Sequence, residues 1–357
     1  MAFAPSDLMK KNTSNTLIIA GRPIGPAYPP FIIAEIGINH GGDFSRAKRM
    51  IDDAYKAGCE CVKFQTHIIE DEMVPNSVIP GNSKQTIWDI ISRCALSEDE
   101  ENQLKNYAQK KGLIYLSTPF SRAAVERLER MKISAYKIGS GECNNYPLIE
   151  IIASKRKPVI LSTGMNDIET IRPAVSILHK YKIKFALLHC TSIYPTPFNK
   201  IRLGALSELT KAFPDALIGL SDHSMSIYPS LAAVALGASI IERHFTSSKR
   251  WPGPDIPISM DRKELQELII ASGIIHQSLG GNKRILKEEG PTIRFAYSSV
   301  VAIRDIAKGE KFSHNNIWLK RPGTGQLKAK DFKYILGKRS KLDIKKNAQI
   351  RREWCHE

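Results

Sequence analysis

The sequence predicts an α/β fold: a (β/α)8 TIM barrel followed by a small C-terminal domain rich in short strands. Three observations carry this. Eight short apolar or β-branched runs recur between residue 31 and about residue 280, amphipathic segments separate them, and the runs end in polar or charged residues. Continuous apolar strands alternating with helices mark a parallel sheet covered on both faces. Eight such units suit a closed barrel better than an open doubly wound sheet.

The elements follow in order. Residues 1–30 form an N-terminal extension, in which NTLIIAGRPIGPAYPPF turns at Gly21 and Gly25 and is expected to close the barrel's bottom as a hairpin. The eight strands, within 31–280, are read at FIIAEIG, CVKFQT, LIYLSTP, AYKIGS, PVILSTG, FALLHCT, ALIGLSD and SIIERHFT. Between them RAKRMIDDAYKAG, EDEENQLKNYAQKKG and AAVERLERM place apolar residues at helical spacing. Residues 281–298, with the Gly-Gly pair before KEEGPTIRF, read as a linker. Residues 299–357 read as a compact domain with a turn at Lys308-Gly309, too small to hold much core alone and expected to dock on another surface.

Composition narrows the function classes. With 42% hydrophobic and 25% charged residues the chain is globular. No apolar stretch is long enough to span a membrane, and MAFAPSDLMKKNTSN lacks the apolar centre of a secretory signal, so a cytoplasmic location is expected. The six cysteines are sparse and lack metal-ligand spacing, which predicts reduced thiols. The net charge of +16 is concentrated at the end: residues 280–357 hold 19 Lys and Arg against 8 Asp and Glu. That segment has no nucleic-acid motif and no interleaved aromatics, so it reads as a solvated surface that draws in anionic substrates rather than as a nucleic-acid site.

Active sites in this fold form at the C-terminal ends of the strands. The strand ends here offer Glu35 with Asn39 and His40, Lys63 with Gln65, Ser117 with Thr118, and Lys137 with Ser140. They continue with Ser162 and Thr163, His189 and Thr191, Asp222 and His223, and Glu242 and His244. All are expected to converge on one rim. His223 and His244, on adjacent strands, could share a divalent cation with open positions for substrate, or act as acid and base without one. Lys63 and Lys137, ending buried strands beside hydroxyls, suit a phosphate or carboxylate; a Schiff base is the competing use.

The stretches AEIGINHGG, VKFQTHIIEDEM, STPFSRAA, YKIGSGECNNYPLI, LSTGMN, LLHCTSIYPTP, GLSDHS, ERHFT with PGPD, and LKRPGTG make the chain similar to bacterial N-acetylneuraminate (sialic acid) synthases from about Pro30 to Ile350. The resemblance implies a barrel followed by an antifreeze-like (SAF) domain, in a homodimer whose tail domains each cover the other subunit's site. The implied reaction condenses phosphoenolpyruvate (PEP) with N-acetylmannosamine to give N-acetylneuraminate and phosphate, with a divalent metal, Mn²⁺ or alternatively Mg²⁺ or Co²⁺. By that likeness His223 and His244 hold the metal, and Lys63, Thr118, Lys137, Ser140 and Ser162 bind PEP. Gln65, Ser192, Tyr194, Glu242, Asp255 and Phe295 match positions around the sugar, and Arg321 matches an arginine that reaches across the dimer to its N-acetyl group. Ser192 stands where these synthases often have Asn. Glu35, ending the first strand, is the candidate base for the attacking water, with pairing to Lys63 or Lys137 as its structural alternative. The alternatives are a legionaminic or pseudaminic acid synthase using a 2,4-diacetamido-trideoxyhexose, a Schiff-base aldolase, and a non-enzymatic glycan- or nucleic-acid-binding protein.

Overall fold

The computed structural model describes residues 15–356. The chain divides into two units, the first ending at Gly280 and the second running from Gly281. The first unit opens with a hairpin, β1 (Leu17–Ile19) and β2 (Arg22–Ile24), paired antiparallel. Eight parallel strands follow: β3 (Phe31–Gly37), β4 (Cys61–Thr66), β5 (Ile114–Pro119), β6 (Tyr136–Ile138), β7 (Val159–Ser162), β8 (Phe185–Cys190), β9 (Leu217–Asp222) and β10 (Ile240–His244). Their order is β5-β4-β3-β10-β9-β8-β7-β6, and β5 and β6 at its two ends lie side by side. This is a nearly closed (β/α)8 barrel, and its eight strands coincide with the eight apolar runs.

The period of two along a strand divides the core. Phe31, Ile33, Cys61, Leu116, Ala135, Ile160, Ala186, Leu188, Leu217 and Ile240 point inward and form one buried cluster. Leu17, Ile19 and Ile24 of the hairpin belong to that same cluster, so the hairpin packs into the barrel's interior. The alternate residues, such as Ile32, Ala34, Val62, Phe64, Tyr136, Leu161, Leu187 and Ile241, pack outward against the helices. Local chemistry fixes the helix starts: Ser97 and Glu100 form a reciprocal capping box for the helix Glu98–Lys110, and Asp261 with Glu264 does so for Arg262–Ser278.

The second unit holds an antiparallel pair, β11 (Ser299–Ala302) with β12 (Ile317–Lys320). Its own core gathers Val300, Ala302, Ile306, Phe312, Ile317, Leu327, Phe332, Ile335, Ile344 and Ile350. The sequence suggested little independent core here; short bridges such as Ile306–Ile344 and Lys311–Arg339 assemble one from irregular chain, which local periodicity does not reveal. All six cysteines are free and buried. Among the described residues no helix is long and apolar enough to cross a membrane.

Candidate active site

The C-terminal strand ends open into a cavity of about 750 Å³. Alternation again decides what enters it. Glu35, Lys63, Gln65, Thr118, Lys137, Ser162, Ser221, Glu242 and His244 stand one or two layers above the inward apolar residues of their own strands and line the cavity. Ser140, Ser192, Tyr194, His223 and Asp255 join them from the loops that follow the strands.

At the centre lie two ammonium groups and two carboxylates. Lys63 Nζ is 2.6 Å from Glu35 Oε2 and 3.7 Å from Glu242 Oε2, and Lys137 Nζ is 3.6 Å from Glu242 Oε1. Lys63 also donates to Thr118 Oγ1 at 3.0 Å, and Lys137 to Ser162 Oγ at 2.7 Å. Ser221 Oγ donates to Glu242 Oε1 at 3.0 Å. Four buried charges are tolerable only because they alternate in sign and are hydrogen-bonded. Burial pushes the Glu35 carboxyl up to about 7, with Lys63 pulling the other way. Burial also acts to raise Glu242, but Lys137 and Lys63 overcome it and hold that carboxyl below its ordinary value. Lys63 ends above its ordinary value because Glu242 and Glu35 outweigh the desolvation, whereas desolvation wins at Lys137 and lowers it.

Across the cavity His223 and His244 face each other, ring centroids 5.4 Å apart. His223 follows the end of β9, and His244 ends β10 beside it. His223 Nδ1 is 3.2 Å from the Thr191 carbonyl, which leaves Nε2 for the cavity, and Tyr194 stacks on the same ring at 4.2 Å. His244 Nδ1 is buried without a hydrogen-bond partner, with Asp255 Oδ2 at 4.0 Å. One ion bonded to a nitrogen of each ring at about 2.1 Å is within reach of this spacing. Among the described residues no group of three His, Cys, Asp or Glu side chains closes such a shell, so two imidazoles would leave most positions open. The donor set fits a catalytic cation rather than a structural one.

Backbone close approach shapes the walls. At Gly164 a Cβ would fall 2.4 Å from Ser192 Oγ and 2.8 Å from Ser140 Oγ, so only glycine fits beneath these hydroxyls. Gly37, with φ +53°, lets the chain turn past Glu35 and Gln65.

The polar strand-end residues do not all converge on the rim. Asn39 donates to the Phe245 carbonyl and Ser259, Ser117 bonds Thr66, Thr163 donates to the Leu188 carbonyl, and His189 bonds the Ile201 carbonyl. Thr191 donates to the Lys200 carbonyl, and Asp222 pairs with Arg243 on the helix side. Ser117, Thr163, His189 and Asp222 sit one residue out of register with the cavity-facing set, and the period of two turns them away. Glu242 lies between the two lysines rather than apart from them. Phe295 and Arg321 belong to the second unit: Phe295 is exposed, and Arg321 lines a cavity of about 830 Å³ there. That space is slightly larger, but it is the barrel cavity that gathers the buried charges.

Several cavity residues escape the strand-end reading, Ser221, Glu72, His67 and Asn82 among them. His67 continues the inward series Lys63, Gln65 one step past β4, so the alternation signals it. Asn82, in the loop before the helix Ile87–Cys94, donates to Asp255 Oδ1 at 3.3 Å across a long sequence separation, and no local pattern announces it.

Comparison with known proteins shows what the chain is similar to. The NeuB family matches residues 50–284 and the SAF domain residues 297–353. The chain is 37% identical to the N,N'-diacetyllegionaminic acid synthase of Campylobacter jejuni, over 90% of this chain and 98% of that protein. It is 34% identical to the human N-acetylneuraminate-9-phosphate synthase, over 93% and 94%. A crystal structure of the N-acetylneuraminic acid synthetase of Leptospira borgpetersenii, in complex with citrate, superimposes with a TM-score of 0.72 at 35% identity, covering 78% of this chain and 95% of that one. A barrel whose strand ends carry this constellation, matched over most of its length by sialic- and legionaminic-acid synthases and followed by a SAF domain, makes the chain a member of the NeuB family of sialic-acid-type synthases.

Proposed function

We propose that this protein condenses PEP with the open-chain aldehyde of N-acetylmannosamine to give N-acetylneuraminate and phosphate. The observation that carries the reading is one cavity lined by both the buried Lys63–Lys137 pair and the His223–His244 pair. Two ammonium groups with the Thr118, Ser140 and Ser162 hydroxyls suit a small ligand that bears a carboxylate and a phosphate. On binding, substrate oxygens take over the ionic contacts that Glu35 and Glu242 make with the lysines in the free site.

A divalent cation, Mn²⁺ with Mg²⁺ or Co²⁺ as alternatives, would be held by His223 and His244 and would supply Lewis-acid polarisation of the aldehyde. The PEP methylene carbon forms the new C–C bond, water adds at C2, and the C2–O bond breaks to release phosphate with its electron pair. Glu35 is the base for that water, since a carboxyl near 7 is suited to exchanging protons at neutral pH. Tyr194 and Asp255, on the imidazole side, and Gln65 and Ser192 form the sugar half of the cavity. We further propose a homodimer in which the second unit covers the other subunit's cavity, with Phe295 and Arg321 completing the sugar site.

A second reading, a 2,4-diacetamido-trideoxyhexose as acceptor, is favoured by the legionaminic acid synthase relative and by Ser192, whose short side chain leaves room where an amide would reach the sugar. Purified protein with PEP, Mn²⁺ and each sugar in parallel tests both. The expected result is phosphate release and a nine-carbon keto acid by mass spectrometry, with N-acetylmannosamine preferred. No product from any acetamido sugar would sink the reading, and a borohydride-trapped pyruvate adduct would point to Schiff-base chemistry instead.

A further inference from the structure

A hydrogen-bonded chain of four side chains runs along the cavity wall: Glu72, His67, Gln65 and Glu35. Glu72 Oε2 lies 2.8 Å from His67 Nδ1, and His67 Nε2 lies 3.1 Å from Gln65 Oε1. Gln65 Nε2 donates to Glu35 Oε1 at 3.2 Å. The His67 ring is buried and stacks face to face on Phe120 with centroids 4.7 Å apart and an interplanar angle of 14°, so it cannot tip away from this line.

The polarity of the chain has one consistent reading when Glu35 is a carboxylate. Glu35 then requires a donor, which turns the Gln65 NH₂ toward it and the Gln65 carbonyl toward His67. That carbonyl requires a donor in turn, and only a protonated His67 Nε2 supplies one. Glu72 closes the far end of the ring at Nδ1, 2.8 Å away, and leaves Nε2–H aimed at the Gln65 oxygen. A ring protonated at Nδ1 alone would set its Nε2 lone pair against the Gln65 oxygen and leave two buried acceptors facing each other.

We propose that His67, held by Glu72, is a positioning residue that fixes the orientation of the Gln65 amide, so that the cavity is offered an N–H donor and not a carbonyl at this point. The amide has two hydrogens: one bonds Glu35, and the other is left for the ligand. The group that Gln65 selects is therefore an acceptor, a hydroxyl or N-acetyl carbonyl oxygen of the sugar. This inference rests on the synthase reading, and nothing in it requires His67 to touch substrate.

Two variants separate positioning from charge. In Glu72→Gln the new amide donates to His67 Nδ1, and the neutral ring still donates from Nε2 to Gln65. In His67→Phe the stacking volume stays but the donor is lost, and the Gln65 amide is held by Glu35 alone. The expected result is a rise of ten-fold or more in the sugar KM for His67→Phe, a PEP KM within two-fold of wild type, and Glu72→Gln within three-fold on both. An unchanged sugar KM in His67→Phe, or equal damage in Glu72→Gln, overturns the proposal. A second readout is independent of turnover: ¹⁵N-histidine NMR of the intact protein at pH 8, with His67 assigned by its loss in His67→Phe. A proton on Nε2 in both wild type and Glu72→Gln supports the orientation even if no sugar is turned over. An unprotonated Nε2 in wild type overturns it.

Discussion

Asp222 and Arg243 form a buried ion pair on the helix side of the barrel, directly behind the two facing imidazoles. Each partner is the sequence neighbour of one histidine, and β9 pairs Asp222 with Arg243 in register. Arg243 also donates to the Ser224 carbonyl at 2.7 Å, so its guanidinium grips the chain on both sides of His223. Arg243→Gln leaves Asp222 buried without its counter-charge, which costs about 3–5 kcal/mol. Urea unfolding should show that loss, and titration calorimetry should show Mn²⁺ binding weakened at least ten-fold with PEP binding changed far less. Equal weakening of both ligands would mean that the pair supports the barrel and not the histidine spacing.

Lys63 is placed to bind an anion. Its ammonium touches Glu35, Glu242 and Thr118, and it ends more basic than a free lysine, the opposite of what an amine nucleophile needs at neutral pH. Lys63→Met should lower kcat/KM for PEP by about two to three orders of magnitude, about 3–4 kcal/mol of transition-state stabilisation. Borohydride with pyruvate should leave the wild-type mass unchanged; an adduct at Lys63 would reverse the assignment.

The strands and half the site were legible because one rule, inward at every second residue, governs both. It puts Glu35 above Ile33, Lys63 above Cys61 and Glu242 above Ile240. The same rule, carried through, sends Ser117, Thr163, His189 and Asp222 outward and brings His67 in, although polarity alone groups them with the rim. The Asn82–Asp255 contact was not legible, since it joins two loops with no periodicity. The core of the second unit was not legible either, because isolated bridges and turns build it without regular strands.

His40 makes acid stability a measurable property of the loop after β3. It is buried, and Gly42 N donates to its Nδ1 at 3.1 Å, so the ring is neutral in the fold. Burial lowers it to about 4, with the Gly37 carbonyl offsetting only part. The unfolded chain takes up the proton near pH 6.5 and the folded one only near 4, so stability present above 6.5 is lost as pH falls through that window. The full difference is ~3 kcal/mol. Urea unfolding of wild type and His40→Asn at pH 7.5 and pH 4.5 should show the wild type losing more on acidification. Parallel losses would exclude His40 as a source of the slope.

Gly164 tests whether the wall beside the lysines works as a fixed surface. Its N–H donates to Ser140 Oγ at 3.0 Å, and its missing Cβ leaves the space that the Ser140 and Ser192 hydroxyls fill. In Gly164→Ala at least one of those hydroxyls must move, because contacts of 2.4 and 2.8 Å are far inside van der Waals distance. Ser140 is a proposed PEP contact and Ser192 a proposed sugar contact, so the substitution would strain both proposed halves of the cavity at their border. Overpacking of this kind costs about 1–3 kcal/mol of stability. The activity loss should exceed it: kcat/KM for both substrates should fall ten-fold or more while the protein stays folded by circular dichroism. An unchanged kcat/KM for both substrates would mean that the Ser140 and Ser192 hydroxyls yield to the added methyl without cost to either half of the site.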